Sequence, residues 1–236
     1  MKKEELAKYI DQTLLNPCAT PEQVSNFCKE AASLGFKSVC VNPVYVSLAA
    51  KILEGSDTLV CTVIDFPLGQ GGITVKNEIA STAILAGADE LDLVINLGMV
   101  KASMWSELEK QLCEFTKVVY NLKTKKGLRP ITKLILETCY LTDEEIVQSS
   151  MCAKKAGFDF VKTSTGFAIL KDKEGKLLPS GASVNAVKLM REAVGPSMGV
   201  KASGGIHNYD EALLMIKAGA TRIGSSCGKE ILDDAR

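Results

Sequence analysis

Ala156-Gly157-Phe158-Asp159-Phe160-Val161-Lys162-Thr163-Ser164-Thr165-Gly166 joins a helix stop, a strand and a polar strand end. The glycine supplies the left-handed residue that ends a helix. The short apolar run after it predicts a strand over 158–163. The same junction recurs at Leu34-Gly35-Phe36, Ala86-Gly87-Ala88 and Ala218-Gly219-Ala220, with the glycines 52, 70 and 62 residues apart. At about 30 residues per βα unit, each interval holds roughly two units. Strands are predicted over 10–15, 38–41, 59–64, 90–95, 132–137, 158–163, 199–202 and 221–223, eight in all. Helices are predicted to start at Thr20-Pro21-Glu22, Thr142-Asp143-Glu144-Glu145 and Asn208-Tyr209-Asp210-Glu211, where a capping side chain precedes acidic first-turn residues. Leu108, Leu112, Phe115, Val118, Val119 and Leu122 keep helical spacing between Trp105 and Leu122. Eight βα units match a (β/α)8 TIM barrel, an α/β fold of typically about 250 residues, as one domain over 1–236. An open doubly wound sheet fits less well, because no G-x-G-x-x-G follows the first strand.

Composition agrees and narrows the function classes. The 236 residues carry 28 Lys+Arg and 28 Asp+Glu, giving no net charge, with 46% hydrophobic residues. A disordered chain would be less apolar and more charged. A neutral chain has no global footprint for nucleic acid or an anionic membrane. The single histidine, His207, argues against a metal site built on a histidine cluster. The eight cysteines include no C-x-x-C pair, and Cys40 and Cys61 sit in apolar runs as small hydrophobes, consistent with reduced thiols in the cytosol. The start, Met1-Lys2-Lys3-Glu4-Glu5, lacks the apolar region of a signal peptide, and no stretch approaches the ~20 apolar residues of a membrane helix.

In a barrel of this kind the active site lies at the C-terminal ends of the strands. Val161-Lys162-Thr163-Ser164-Thr165-Gly166 and Val200-Lys201-Ala202-Ser203-Gly204-Gly205 both read V-K-x-S-x-G and end the sixth and seventh strands, which are neighbours. A lone strand-end lysine usually snorkels to the surface. Two on adjacent strands point to function, because each charge and burial disfavour a second ammonium and ready one amine for Schiff-base chemistry. Asp92 interrupts the apolar fourth strand and is read either as a structural carboxylate or as the lysines' proton-relay partner. Asp11 in the first strand is a similar but weaker candidate, and Glu137 at the end of the fifth is equally eligible on these grounds. Ser203-Gly204-Gly205 and Gly224-Ser225-Ser226 lie where barrels often bind phosphate. Gly69-Gln70-Gly71-Gly72 after the third strand reads as a mobile loop ahead of the alternative, another anion cradle.

The two lysine strings, with Tyr9-Ile10-Asp11, Thr13-Leu14-Leu15, Ser38-Val39-Cys40-Val41-Asn42-Pro43, Leu134-Ile135-Leu136-Glu137-Thr138-Cys139 and Ala218-Gly219-Ala220-Thr221-Arg222-Ile223-Gly224, resemble the deoxyribose-phosphate aldolase family over essentially the whole chain. The resemblance implies a (β/α)8 class I aldolase needing no metal or cofactor. Such an enzyme reversibly cleaves 2-deoxy-D-ribose 5-phosphate to acetaldehyde and D-glyceraldehyde 3-phosphate. It implies Lys162 as the Schiff-base lysine, Lys201 as the second lysine that tunes it, and Asp92 in the proton relay. Gly166, Gly204, Gly205, Ser225 and Ser226 would bind substrate and its phosphate, with Cys40 and Asp11 near it. It also implies a cytoplasmic enzyme of deoxynucleoside catabolism, with a homodimer as its candidate assembly.

Three departures stand out. Gln12 occupies the usual place of His, Asp65 that of Gly before Phe66-Pro67-Leu68-Gly69, and a longer charged segment, Lys171-Asp172-Lys173-Glu174-Gly175-Lys176, predicts an exposed hairpin. Two other readings compete: a phosphosugar isomerase or epimerase without a covalent intermediate, and a sugar-phosphate-binding barrel without activity. Neither needs paired lysines.

Overall fold

The computed structural model describes residues 1–235. Eight parallel strands close into a barrel: β1 (Ile10–Leu14), β2 (Ser38–Val41), β3 (Leu59–Ile64), β4 (Glu90–Val94), β5 (Ile131–Ile135), β6 (Phe160–Lys162), β9 (Gly199–Ser203) and β10 (Arg222–Ser225). Two short antiparallel strands, β7 (Leu170–Lys171) and β8 (Leu177–Leu178), form a separate hairpin between β6 and β9. The helices are α1 (Lys3–Ala7), α2 (Pro21–Ser33), α3 (Val46–Ile52), α4 (Gly72–Ala86), α5 (Leu97–Lys101), α6 (Trp105–Tyr120), α7 (Asp143–Lys155), α8 (Val184–Val194), α9 (Tyr209–Lys217) and α10 (Gly228–Asp233). The expected (β/α)8 barrel is present, closed where β1 pairs with β10. None of these helices is long and apolar enough to cross a membrane.

Local chemistry explains the elements. Thr20 and Thr142 each form a complete capping box, with Gln23 and Glu145 respectively, satisfying amide groups that a helix start leaves free. On α6, Leu108, Leu112, Phe115 and Val119 recur at three- and four-residue steps and are buried against the barrel wall. Phe115 stacks on Phe158 with ring centroids 5.8 Å apart. The strand predicted over 158–163 begins only at Phe160. Phe158 N–H instead bonds back to Ala153 C=O at 3.1 Å, closing the helix stop around Gly157. Asp159 meanwhile accepts from Thr132 N–H at 2.8 Å with its side chain. The strand predicted over 132–137 ends at Ile135, and Glu137 takes a left-handed φ of 54° before the turn Thr138–Tyr140.

The predicted exposed hairpin is present. Its turn is held by the Asp172 carboxylate, which accepts from Glu174 N–H at 3.0 Å and Lys176 N–H at 2.8 Å.

Alternation along each strand aims every second side chain inward. Here the interior carries charge as well as the branched apolar layers usual in such barrels. Asp11, Glu90, Asp92, Lys133, Lys162, Lys201 and Arg222 are all buried. Register sets their heights. Lys162 pairs with Lys201 across β6 and β9, and Lys201 with Arg222 across β9 and β10. Lys133 lies opposite Phe160, two residues below Lys162, and level with Asp92.

Candidate active site

Asp92 is the hub. Its Oδ1 accepts from Lys133 Nζ at 2.8 Å, and its Oδ2 accepts from both Lys162 Nζ and Lys201 Nζ at 2.8 Å. Burial alone would raise this carboxyl, but Lys133, then Lys162 and Lys201, outweigh it and hold it well below the usual carboxylate range. Below the hub, Lys133 Nζ lies 2.6 Å from Glu90, and Lys201 Nζ lies 2.6 Å from Asp11. Arg222 reaches Asp11 at 2.5 Å and Glu90 at 3.2 Å. Four basic groups thus face three acids in one ion-paired cluster, which leaves one positive charge in excess.

Mutual repulsion of the two lysines was expected to ready one amine for deprotonation. At Lys201 the balance goes the other way. Burial disfavours its charge, but Asp11 and Asp92 overcome this and raise it above the ordinary lysine range. The acid that decides this, Asp11, stands on a strand 190 positions away in sequence. Asp11 itself is driven up by burial and pulled further down by Arg222, Lys201 and Lys133, so it stays ionised.

A cavity of about 270 Å³ opens at the C-terminal ends of the strands. Lys162, Gly166, Gly204, Gly205, Ser225 and Ser226 all line it, so the structure brings these predicted residues together. Lys162 retains 4% exposure, whereas Lys133 and Lys201 retain none and stand behind it. Gly204 and Gly205 have φ of 88° and 73°, where glycine is the favoured residue. A side chain at Gly224 would meet Lys201 Cε at 3.0 Å and Ser203 Cβ at 2.9 Å, so that glycine gives Lys201 its path to Asp92.

Asp11 is buried below the cavity, facing Lys201 and Arg222. Cys40 is buried in a small apolar cluster with Leu15, Cys61 and Val63, on which Phe66 packs. Glu137 accepts from Thr165 N–H at 3.1 Å and from the Thr165 hydroxyl, and burial raises its carboxyl. It therefore fixes the turn that follows Lys162. A larger cavity, about 420 Å³, lies beside Lys51, Asp89 and Lys126, away from this charge cluster.

Donor atoms of Cys40, Cys61 and Asp92 lie within 4.8 Å of one another. Both Asp92 oxygens already hold ammonium groups, and Cys61 Sγ is 3.3 Å from Lys133 Nζ. A cation there would have to displace these lysines.

The departures have structural roles. Gln12 donates to Ser226 C=O at 3.2 Å and accepts from Gly228 N–H at 2.9 Å, tying β1 to the loop that carries Ser225 and Ser226. Asp65 has a φ of 52°, which explains why glycine suits the position. Its side chain accepts from Gly71 N–H at 2.8 Å and pairs with buried Lys76 at 2.7 Å.

Lys133, Glu90 and Arg222 were not singled out from sequence. The signal that marks Asp92, a charge inside an apolar strand, marks them equally.

A closed parallel barrel with buried lysines gathered on one carboxylate beneath its mouth defines a (β/α)8 enzyme with lysine–carboxylate chemistry. Sequence comparison makes the class specific. The family model for DeoC/LacD family aldolases matches residues 6–234. The deoxyribose-phosphate aldolase of Caldanaerobacter subterraneus subsp. tengcongensis is 46% identical over 238 residues, covering 99% of this chain and 96% of that protein. That of Thermococcus kodakarensis is 47% identical over 237 residues, covering 100% and 99%. Among solved structures, the tetrameric deoxyribose phosphate aldolase from Aeropyrum pernix superposes with a TM-score of 0.83 at 35% identity, covering 98% of this chain and 91% of that one. The chain belongs to the deoxyribose-phosphate aldolase family.

Proposed function

We propose that this aldolase reversibly cleaves 2-deoxy-D-ribose 5-phosphate to acetaldehyde and D-glyceraldehyde 3-phosphate through an imine on Lys162. The observation that carries the reading is that Lys162, alone of the three ammonium groups on Asp92, lines the open cavity. This separates it from Lys201, whose local sequence is nearly the same.

The neutral Lys162 amine adds to C1 of the open-chain sugar, and loss of water leaves an iminium. Removal of the proton on O3 breaks the C2–C3 bond, whose electrons flow into the iminium to give an enamine, and glyceraldehyde 3-phosphate departs. Protonation at C2 and addition of water at C1 release acetaldehyde and the amine. Asp92 Oδ2, in contact with Lys162, is the nearest carboxylate oxygen for these transfers. Lys201, which keeps its charge beside Lys162, is the second lysine proposed to tune it. Gly166, Gly204, Gly205, Ser225 and Ser226 hold the sugar phosphate, with Cys40 and Asp11 behind the reacting end. Residues 1–236 act as one barrel domain, without metal or cofactor, in the cytosol and in deoxynucleoside catabolism. A homodimer is the proposed assembly, checked by light scattering.

Borohydride reduction in the presence of 2-deoxyribose 5-phosphate, followed by peptide mapping, tests the mechanism. An adduct on Lys162, retained with a chelator present, is expected. An adduct on Lys201 exchanges the two roles. No adduct and no turnover would sink the imine reading.

A further inference from the structure

We propose that His207 is the titratable cation of the anion-binding side of the cavity, and that its protonation strengthens binding of a phosphomonoester. The phosphomonoester substrate rests on the aldolase reading above; the charge chemistry of the site does not. His207 is the chain's only histidine and directly follows Gly204-Gly205-Ile206. Its Nδ1 lies 3.6 Å from the Sγ of Cys227, which directly follows Ser225-Ser226. The imidazole therefore spans the two loops proposed to hold phosphate. Those loops are already joined beneath it, where Ser225 Oγ donates to Ile206 C=O at 2.6 Å. The His207 backbone is fixed as well, since its N–H donates to Glu211 Oε2 at 2.7 Å.

Among the described residues that line the cavity, Lys162 and His207 are the ones whose side chains carry a titratable cation. Lys162 is held by Asp92 and assigned to the carbonyl end of the sugar. Hydroxyls and backbone amides supply the rest of the phosphate side, and none of them changes charge in the working range. A histidine is the side chain that does. The titratable groups facing His207 are Cys227 on the β10–α10 turn, Glu211 in the first turn of α9, and Lys162 on β6 across the cavity. Hydrogen bonding from the His207 backbone, ahead of other causes, keeps the Glu211 carboxylate ionised by lowering its pKa.

Sulfate is the probe, because it stays a dianion throughout while a phosphate ester titrates. Calorimetry of sulfate binding should show the wild-type Kd rising about threefold to fivefold from about pH 5.5 to about pH 8. His207→Asn should bind weakly with no pH slope, His207→Arg tightly with no slope, and Cys227→Ala should keep the wild-type slope. KM for 2-deoxyribose 5-phosphate should rise in His207→Asn, with that for unphosphorylated 2-deoxyribose unchanged. Absence of sulfate binding, a flat wild-type profile, or an unchanged slope in His207→Asn overturns the proposal. Failure of the aldolase reading looks different: no turnover of either sugar, with the sulfate slopes intact.

Discussion

Asp92 carries three ammonium groups on two oxygens, so its replacement unbalances more than one partner. Asp92→Asn keeps the shape but leaves Lys133 and Lys201 buried with less counter-charge. Removing one partner of a buried ion pair typically costs about 3–5 kcal/mol, and loss of a positioned proton-transfer group costs about 10²–10⁴ in rate. Denaturant unfolding and steady-state kinetics on one preparation should show both losses. Gly224→Ala tests a narrower point. The added methyl meets Lys201 Cε and Ser203 Cβ, so kcat should fall. An unchanged kcat would mean that Lys201 has a second route to Asp92. The charges of Asp92, Lys162 and Lys201 were each legible in sequence. The raised pKa of Lys201 was not, because it depends on Asp11.

Secondary elements were legible wherever their signals are local. Capping boxes, glycine stops and apolar periodicity act over a few residues, and the helices begin where Thr20, Thr142 and Asn208 predict. Thr142→Ala should therefore cost about 1 kcal/mol of stability without altering kcat, measured by denaturant unfolding. Phe115→Ala should cost about 3–5 kcal/mol, because it empties the stack against Phe158 between α6 and the barrel. Strand ends were less legible, since partners from other elements fix them. The helix stop around Gly157, closed by Phe158 N–H to Ala153 C=O, delays β6, and the left-handed Glu137 stops β5 while holding Thr165.

Across the whole molecule the buried charge network sets the limits of stability in pH. Asp11 and Asp92 are held below their ordinary values when folded. Their contribution is complete above the unfolded carboxyl value of about 4, and is lost as pH falls below it toward the folded values. Lys133 and Lys201 are held above theirs, so their contribution is complete below about pH 10.4 and is lost as pH rises through the folded values. Melting temperature followed across pH should show no loss from this network between those limits. A loss centred near neutrality would place a different group in control.

The order of strands and helices, the barrel class and the paired V-K-x-S-x-G strand ends were determined by the sequence itself, because alternation, helix stops and repeated motifs are properties of neighbouring residues. Which lysine faces the cavity, which acids neutralise the other two, and how His207 comes to bridge two loops were decided only by tertiary structure. Closing the barrel sets β1 beside β10 and brings Asp11 to Arg222 across 211 positions of chain. Coulombic interaction falls with distance in space, and sequence separation does not report that distance.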